Sequence, residues 1–118
     1  MNKDVVRLVV SFQVNDFDKF SSVSDACTEY VLGSEPGTLV YDWYVDADRI
    51  NGRLIEVYES QDAFKQHLLG PVFKKIAPGF GESITWLSIE SFGPLPNEFH
   101  KILGGLASTN WPQPISGL

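Results

Sequence analysis

Hydrophobic and polar positions along this chain follow an order that reads strand, helix, strand, strand, helix, strand. Val5 to Val14, VVRLVVSFQV, is a long β-branched run whose polar members Arg7, Ser11 and Gln13 share one parity. It predicts a first strand with one face apolar throughout and the other mixed. Asn15-Asp16 closes that strand and supplies side-chain oxygens able to cap the free N–H groups of a helix start. Phe17, Phe20, Val23, Cys27, Tyr30 and Val31 then recur at spacings of three and four, which predicts a helix from about Phe17 to Leu32 with one apolar stripe, ended by Gly33.

Pro36-Gly37 cannot continue a helix, so the chain must begin something new at Thr38. Leu39, Tyr41, Trp43 and Val45 alternate with Val40, Asp42, Tyr44 and Asp46, a second strand rich in β-branched and aromatic types. Asn51-Gly52, at the end of a polar loop, accepts positive φ and suits a hairpin return, after which Arg53 to Glu59 runs back antiparallel. Ser60 is a good N-cap for a second helix carrying Ala63, Phe64, His67 and Leu68 on one side. Gly70-Pro71 interrupts it, and Val72, Phe73, Ile76 and Ala77 restart a short amphipathic piece before Pro78-Gly79. In the fourth strand, Ile84 to Phe92, simple alternation puts Ile84, Trp86, Ser88 and Glu90 on one side, with Thr85, Leu87, Ile89 and Ser91 on the other.

This order implies an α+β ferredoxin-like βαββαβ plait, a four-stranded antiparallel sheet with both helices on one face. Residues 1–93 form that domain, and residues 94–118 are a C-terminal extension expected to pack on the domain or on a partner subunit. Within the extension, Asn97 caps a short apolar helix through Leu106, and Trp111 needs cover from a partner or across a pocket mouth. The helix-free face of the sheet must carry part of Tyr41, Trp43, Tyr44, Tyr58 and Trp86, more apolar area than one sheet leaves in water. A homodimer packed sheet against sheet buries it, and a monomer covered by its own tail is the alternative.

Composition narrows the partners. A net charge of −6 and the lack of a basic run argue against nucleic acid. Apolar runs are broken by charges before membrane-spanning length and the N-terminus lacks an apolar leader core, so no membrane partner and a cytoplasmic location are expected. One cysteine, Cys27, excludes an internal disulfide and multi-cysteine metal motifs. Asp42, Asp46 and Asp48 lack calcium-loop spacing, and no metal site is expected.

The segments EPGTLVYDWYVD and VYESQDAFKQHL, together with the first strand, resemble the antibiotic biosynthesis monooxygenase superfamily of dimeric α+β barrels, over roughly Val5 to Phe92. The marks are Glu35-Pro36-Gly37, Tyr41, Glu56, Tyr58 and Ala63-Phe64-x-x-His67-Leu68. The resemblance implies a cofactor-independent monooxygenase of a small aromatic or quinol-like substrate, in which the substrate anion itself reduces dioxygen. His67 is then the candidate base, Glu56 orients it or a substrate hydroxyl, and Tyr41, Trp43, Tyr58 and Trp86 form substrate-binding walls. Haem-degrading relatives are a poorer match, because alignment puts His67 at their tryptophan and Ala77 at their axial histidine.

Each residue also has a purely structural reading. His67 can be a satisfied histidine at a stripe border, the aromatic residues dimer core, and Glu56 a hairpin partner of Arg53 or Arg7. The functional alternative is a non-catalytic dimeric module that binds a small apolar ligand or acts in stress. A closed apolar cavity of about 300 Å³ or more reaching the His67 imidazole favours the enzyme.

Overall fold

The computed structural model describes residues 5–95, 98 and 107–117. Strand β1 (Val6–Val14) leads into helix α1 (Phe17–Ser34), the hairpin β2 (Thr38–Val45) and β3 (Asn51–Tyr58), helix α2 (Gln61–Leu69) and strand β4 (Ile84–Phe92), and strand β5 (Ala107–Trp111) follows. The sheet order is β2-β3-β1-β4-β5. The first four strands pair antiparallel, as the plait requires, while β5 adds to the β4 edge in parallel, so the sheet is mixed. The expected helix from Asn97 to Leu106 lies outside the described residues, apart from Glu98.

The caps form where short polar side chains allow them. Asp16 accepts from the Lys19 N–H and Ser60 from the Ala63 N–H, at 3.2 and 3.1 Å. Helix α1 runs past Gly33 to Ser34, and Glu35 caps it by donating its N–H to the Val31 carbonyl. The stop comes from Pro36 rather than the glycine, since a residue before proline is pushed out of the helical region.

The β2–β3 hairpin departs from its expected chemistry. Asn51 and Gly52 are already strand residues, and the positive φ belongs to Arg49, at 58°. Asp46 holds the loop, accepting from the backbone N–H of Ile50 at 2.9 Å and from the Asn51 amide at 2.8 Å. Gly52 is glycine for another reason: a Cβ there would lie 2.1 Å from the Phe12 ring.

Strand β4 carries an extra residue. Trp86 pairs with Phe12 but Ser88 pairs with Ser11, leaving Leu87 as a bulge. The bulge reverses the parity expected from alternation and brings Ile89 and Ser91, with Ile84 and Trp86, to the helix-facing side.

That side also takes Tyr41, Trp43 and Tyr58, so four of the five aromatic residues expected to compete for the open face point toward the helices. Only Tyr44 points away, on a face with Val9, Val40, Ile55, Val57, Leu87, Phe92 and Trp111. Trp111 stacks on Phe92 there, with ring centroids 6.5 Å apart. It does not line the interior cavity.

Candidate functional site

Two side-chain clusters divide the space between sheet and helices. One is aromatic: Phe12 on β1 meets Phe20 of α1, Trp43 of β2 and Trp86 of β4 at centroid distances of 5.3, 5.6 and 5.8 Å. Phe80, from the 3₁₀ segment Ala77–Ser83 that follows α2, closes this group at 5.4 Å from Trp43. The other is polar and holds Glu35, Glu56, Tyr58 and His67, with Tyr41 at its edge.

Between them lies a cavity of about 440 Å³. Leu8, Val10, Leu54, Phe64, Leu68 and Ile89 give it apolar walls, Tyr41, Trp43, Trp86 and Phe80 give it flat ones, and Glu56, His67 and Cys27 reach it as polar groups. Its outer wall is built where α2 breaks. Gly70-Pro71 ends the helix, a π-helical turn spans Val72–Ile76, and Val72, Phe73, Ala77 and Pro78 face the cavity. Such widened turns recur where a helix wall must bend around a site.

His67 is buried, 3 % exposed, rather than at the border of its helix stripe. Its Nδ1 lies 2.8 Å from Glu35 Oε1, and Thr38 Oγ1 donates to the same oxygen at 3.0 Å. A carboxylate oxygen accepts, so Nδ1 carries a ring hydrogen, and in the neutral ring Nε2 is the acceptor. Nε2 faces Glu56 Oε1 at 3.6 Å, beyond hydrogen-bond length but close enough for strong electrostatic coupling. Glu56 in turn accepts from the Tyr58 hydroxyl at 2.5 Å.

Burial shapes the acidity of these groups. Glu56 is held above the ordinary carboxylate range by desolvation, only partly offset by His67 and by the Tyr58 hydrogen bond. The Tyr41 and Tyr58 hydroxyls are both pushed upward, first by burial and then by the charge of Glu56, so they serve as donors at neutral pH. The Cys27 thiol is raised to about 11 by burial, despite the Tyr41 hydroxyl bonded to it. This thiol is a packed wall residue, not a nucleophile. With Nδ1 turned to Glu35, Nε2 is the His67 nitrogen that faces Glu56, and the His67 side chain reaches the cavity.

The sequence-predicted residues do not all share one role. Tyr41, Trp43 and Trp86 line the cavity as expected of walls. Tyr58 does not: it is fully buried behind Glu56, against Phe64 and the His67 ring, at 5.1 and 5.3 Å between centroids. Glu56 points inward and is buried, so pairing with Arg53 or Arg7 on the opposite face is excluded by register. Glu35, the tightest partner of His67, went unassigned because a glutamate before Pro-Gly reads as a turn residue, and its partner lies thirty-two positions away. Its second carboxyl oxygen and the Trp43 indole N–H are buried without a hydrogen-bond partner among the described residues. An unpaired buried donor or acceptor costs about 1–3 kcal/mol, which a ligand that reaches it recovers.

The raised pKa of Glu56 gives a stability prediction. A carboxyl whose folded value exceeds its unfolded one imposes no ionisation penalty below the unfolded value, and the fold loses stability as pH rises through the folded value. Glu56→Gln removes the ionisable group. The melting temperature of the variant relative to wild type is expected to climb by a few degrees between pH 5 and pH 8, and a difference that stays flat with pH would contradict the assignment.

The antibiotic biosynthesis monooxygenase family profile matches residues 6–79, which span both helices, the hairpin and the cavity's polar end. The chain belongs to the antibiotic biosynthesis monooxygenase family. No curated protein sequence matches it. Among solved structures it is similar to MupZ from Pseudomonas fluorescens, with a TM-score of 0.80, 15% identity and coverage of 98% of this chain and 94% of that one. It is similar also to SnoaB from Streptomyces nogalater, a cofactor-independent oxygenase, with a TM-score of 0.66, 23% identity and coverage of 79% and 95%. A conserved protein from Methanosarcina mazei gives a TM-score of 0.63 at 22% identity, covering 75% and 92%. These structural likenesses extend the family's fold to this chain. No helix among the described residues is long and apolar enough to cross a membrane.

Proposed function

We propose that this family member is a cofactor-independent monooxygenase of a small, flat, electron-rich phenol or hydroquinone, working as a homodimer. The observation that carries the reading is the 440 Å³ cavity that ends on a buried histidine. Its size suits a substrate of one ring or a few fused rings, and its lining is mainly apolar. His67 Nε2 takes the proton of a substrate hydroxyl or acidic C–H, and Glu35 holds the imidazole in the tautomer that leaves Nε2 free and steadies the imidazolium formed. The substrate anion passes one electron to dioxygen, the two radicals combine at carbon, and a hydroperoxide forms. Loss of water from that hydroperoxide, with the second hydrogen of an anthrone-type CH2, leaves a carbonyl. One oxygen atom enters the product, the other becomes water, and the substrate supplies all the electrons.

The outer sheet face supports the dimer. Leu39, Tyr44, Leu87, Phe92 and Trp111 are each at least 36 % exposed there or beside it, more apolar surface than a monomer of this size normally shows.

Labelled dioxygen tests the reaction. Chelator-treated protein incubated with anthrone-type phenols and hydroquinones is expected to give a product carrying one labelled oxygen atom, at a rate above uncatalysed autoxidation. No rate above autoxidation across such a panel overturns the oxygenase reading in favour of a non-catalytic ligand-binding module.

A further inference from the structure

The charge of the cavity has a consequence for what can enter it. Its polar end carries two buried carboxyl groups: Glu56, which lines the cavity, and Glu35, directly behind His67. Their side chains are 8 % and 10 % exposed. No lysine or arginine lines the cavity among the described residues. The one group able to become cationic there is His67, and it is already engaged, by Glu35 at 2.8 Å on one nitrogen and faced by Glu56 at 3.6 Å on the other. Of the other polar groups on the lining, the Tyr41 hydroxyl and the Cys27 thiol are hydrogen-bonded to each other.

Resting on the quinol-oxygenase reading above, we propose that the cavity selects phenols whose only polar groups at the His67 end are neutral hydroxyl or carbonyl functions, and that it rejects substrates bearing a free carboxylate. An entering carboxylate would lose its hydration, meet carboxyl oxygens at short range, and find no lysine or arginine on the lining to offset that cost. A neutral hydroxyl instead finds acceptors at His67 and Glu56.

The discrimination also locates the protein in a reaction order. Aromatic carboxylic acids must first be decarboxylated, or masked as an ester, amide or thioester, before reaching this site.

Three probes of nearly one shape separate charge from fit: 2,5-dihydroxybenzoate, its carboxamide and its methyl ester. Binding is measured by calorimetry without oxygen at pH 7.5, where the acid is ionised, so that turnover plays no part. The dissociation constant of the acid is expected to exceed that of the isosteric amide at least tenfold. In Glu56→Gln, which removes one carboxyl group and keeps the shape, the ratio is expected to fall threefold or more; Glu35→Gln serves the same comparison should the first variant fail to fold. Acid binding as tightly as amide overturns the proposal, as does a ratio unchanged in the variant. Failure of all three to bind overturns it together with the quinol reading. Discrimination, with no oxygen uptake in air across the panel of anthrone-type phenols and hydroquinones, supports the selection and overturns the oxygenase chemistry alone.

Discussion

Replacing His67 by alanine should lower kcat for oxygen-consuming turnover by at least about 100-fold, the lower end of what a positioned general base contributes. KM should change little, because the flat walls that hold the ring system, Tyr41, Trp43 and Trp86, remain. The same substitution also leaves Glu35 and Glu56 buried without the ring between them, a loss of about 3 kcal/mol or more for breaking a buried charged cluster. His67→Gln separates the two effects. A glutamine amide can still donate to Glu35 and so recovers part of the stability, but it cannot take a proton, and turnover should stay as low as in the alanine variant. Oxygen-electrode rates set beside melting temperatures check both halves. A glutamine variant that retains rates within threefold of wild type would remove His67 from the chemistry.

Phe12→Ala should be the most destabilising single change in the sheet, at about 4 kcal/mol. Phe12 is 0 % exposed, touches the rings of Phe20, Trp43 and Trp86, and lies over Gly52, whose missing side chain makes room for it. Its removal opens a void that rings on three different elements cannot jointly close. For a domain of this length the loss corresponds to a fall in melting temperature on the order of 15 °C. Thermal or urea unfolding measures it, and a loss below about 1 kcal/mol would mean that the aromatic cluster repacks freely.

These two residues mark how much was legible in the sequence. Alternation and helical spacing carried the plait, because a half-buried strand and an amphipathic helix must write their burial into local order, and caps such as Asp16 and Ser60 act within three residues of themselves. His67 was visible as an isolated polar residue on an apolar stripe. What alternation could not supply was anything decided across elements. The bulge at Leu87 moves Ile89 to the inner face, and nothing in ITWLSIESF announces it. Gly52 looked like a turn glycine because its neighbour is asparagine, yet its reason is a phenylalanine ring forty positions earlier. Part of the aromatic set on β2, β3 and β4 was expected on the open face, but the helix-facing side takes four of the five, and three of these line the cavity. Tyr58 was expected as a wall and instead backs Glu56. Glu35 was hidden by its turn context, although a glutamate directly after an apolar helix stripe, one turn past Val31, already lay near the buried face.

The central claim is that His67 Nε2 receives the substrate's ionising hydroxyl inside the cavity. The chain has two histidines, so nitrogen-15 labelling of histidine gives two ring systems, and His67→Gln assigns them. In the free protein the His67 ring should carry its hydrogen on Nδ1, with Nε2 unprotonated. Anaerobic addition of a hydroquinone is predicted to move the Nε2 resonance strongly toward the hydrogen-bonded or protonated position while Nδ1 stays protonated against Glu35. A hydroquinone that binds, seen by broadening of its own signals, while both His67 nitrogens stay unmoved would contradict the account.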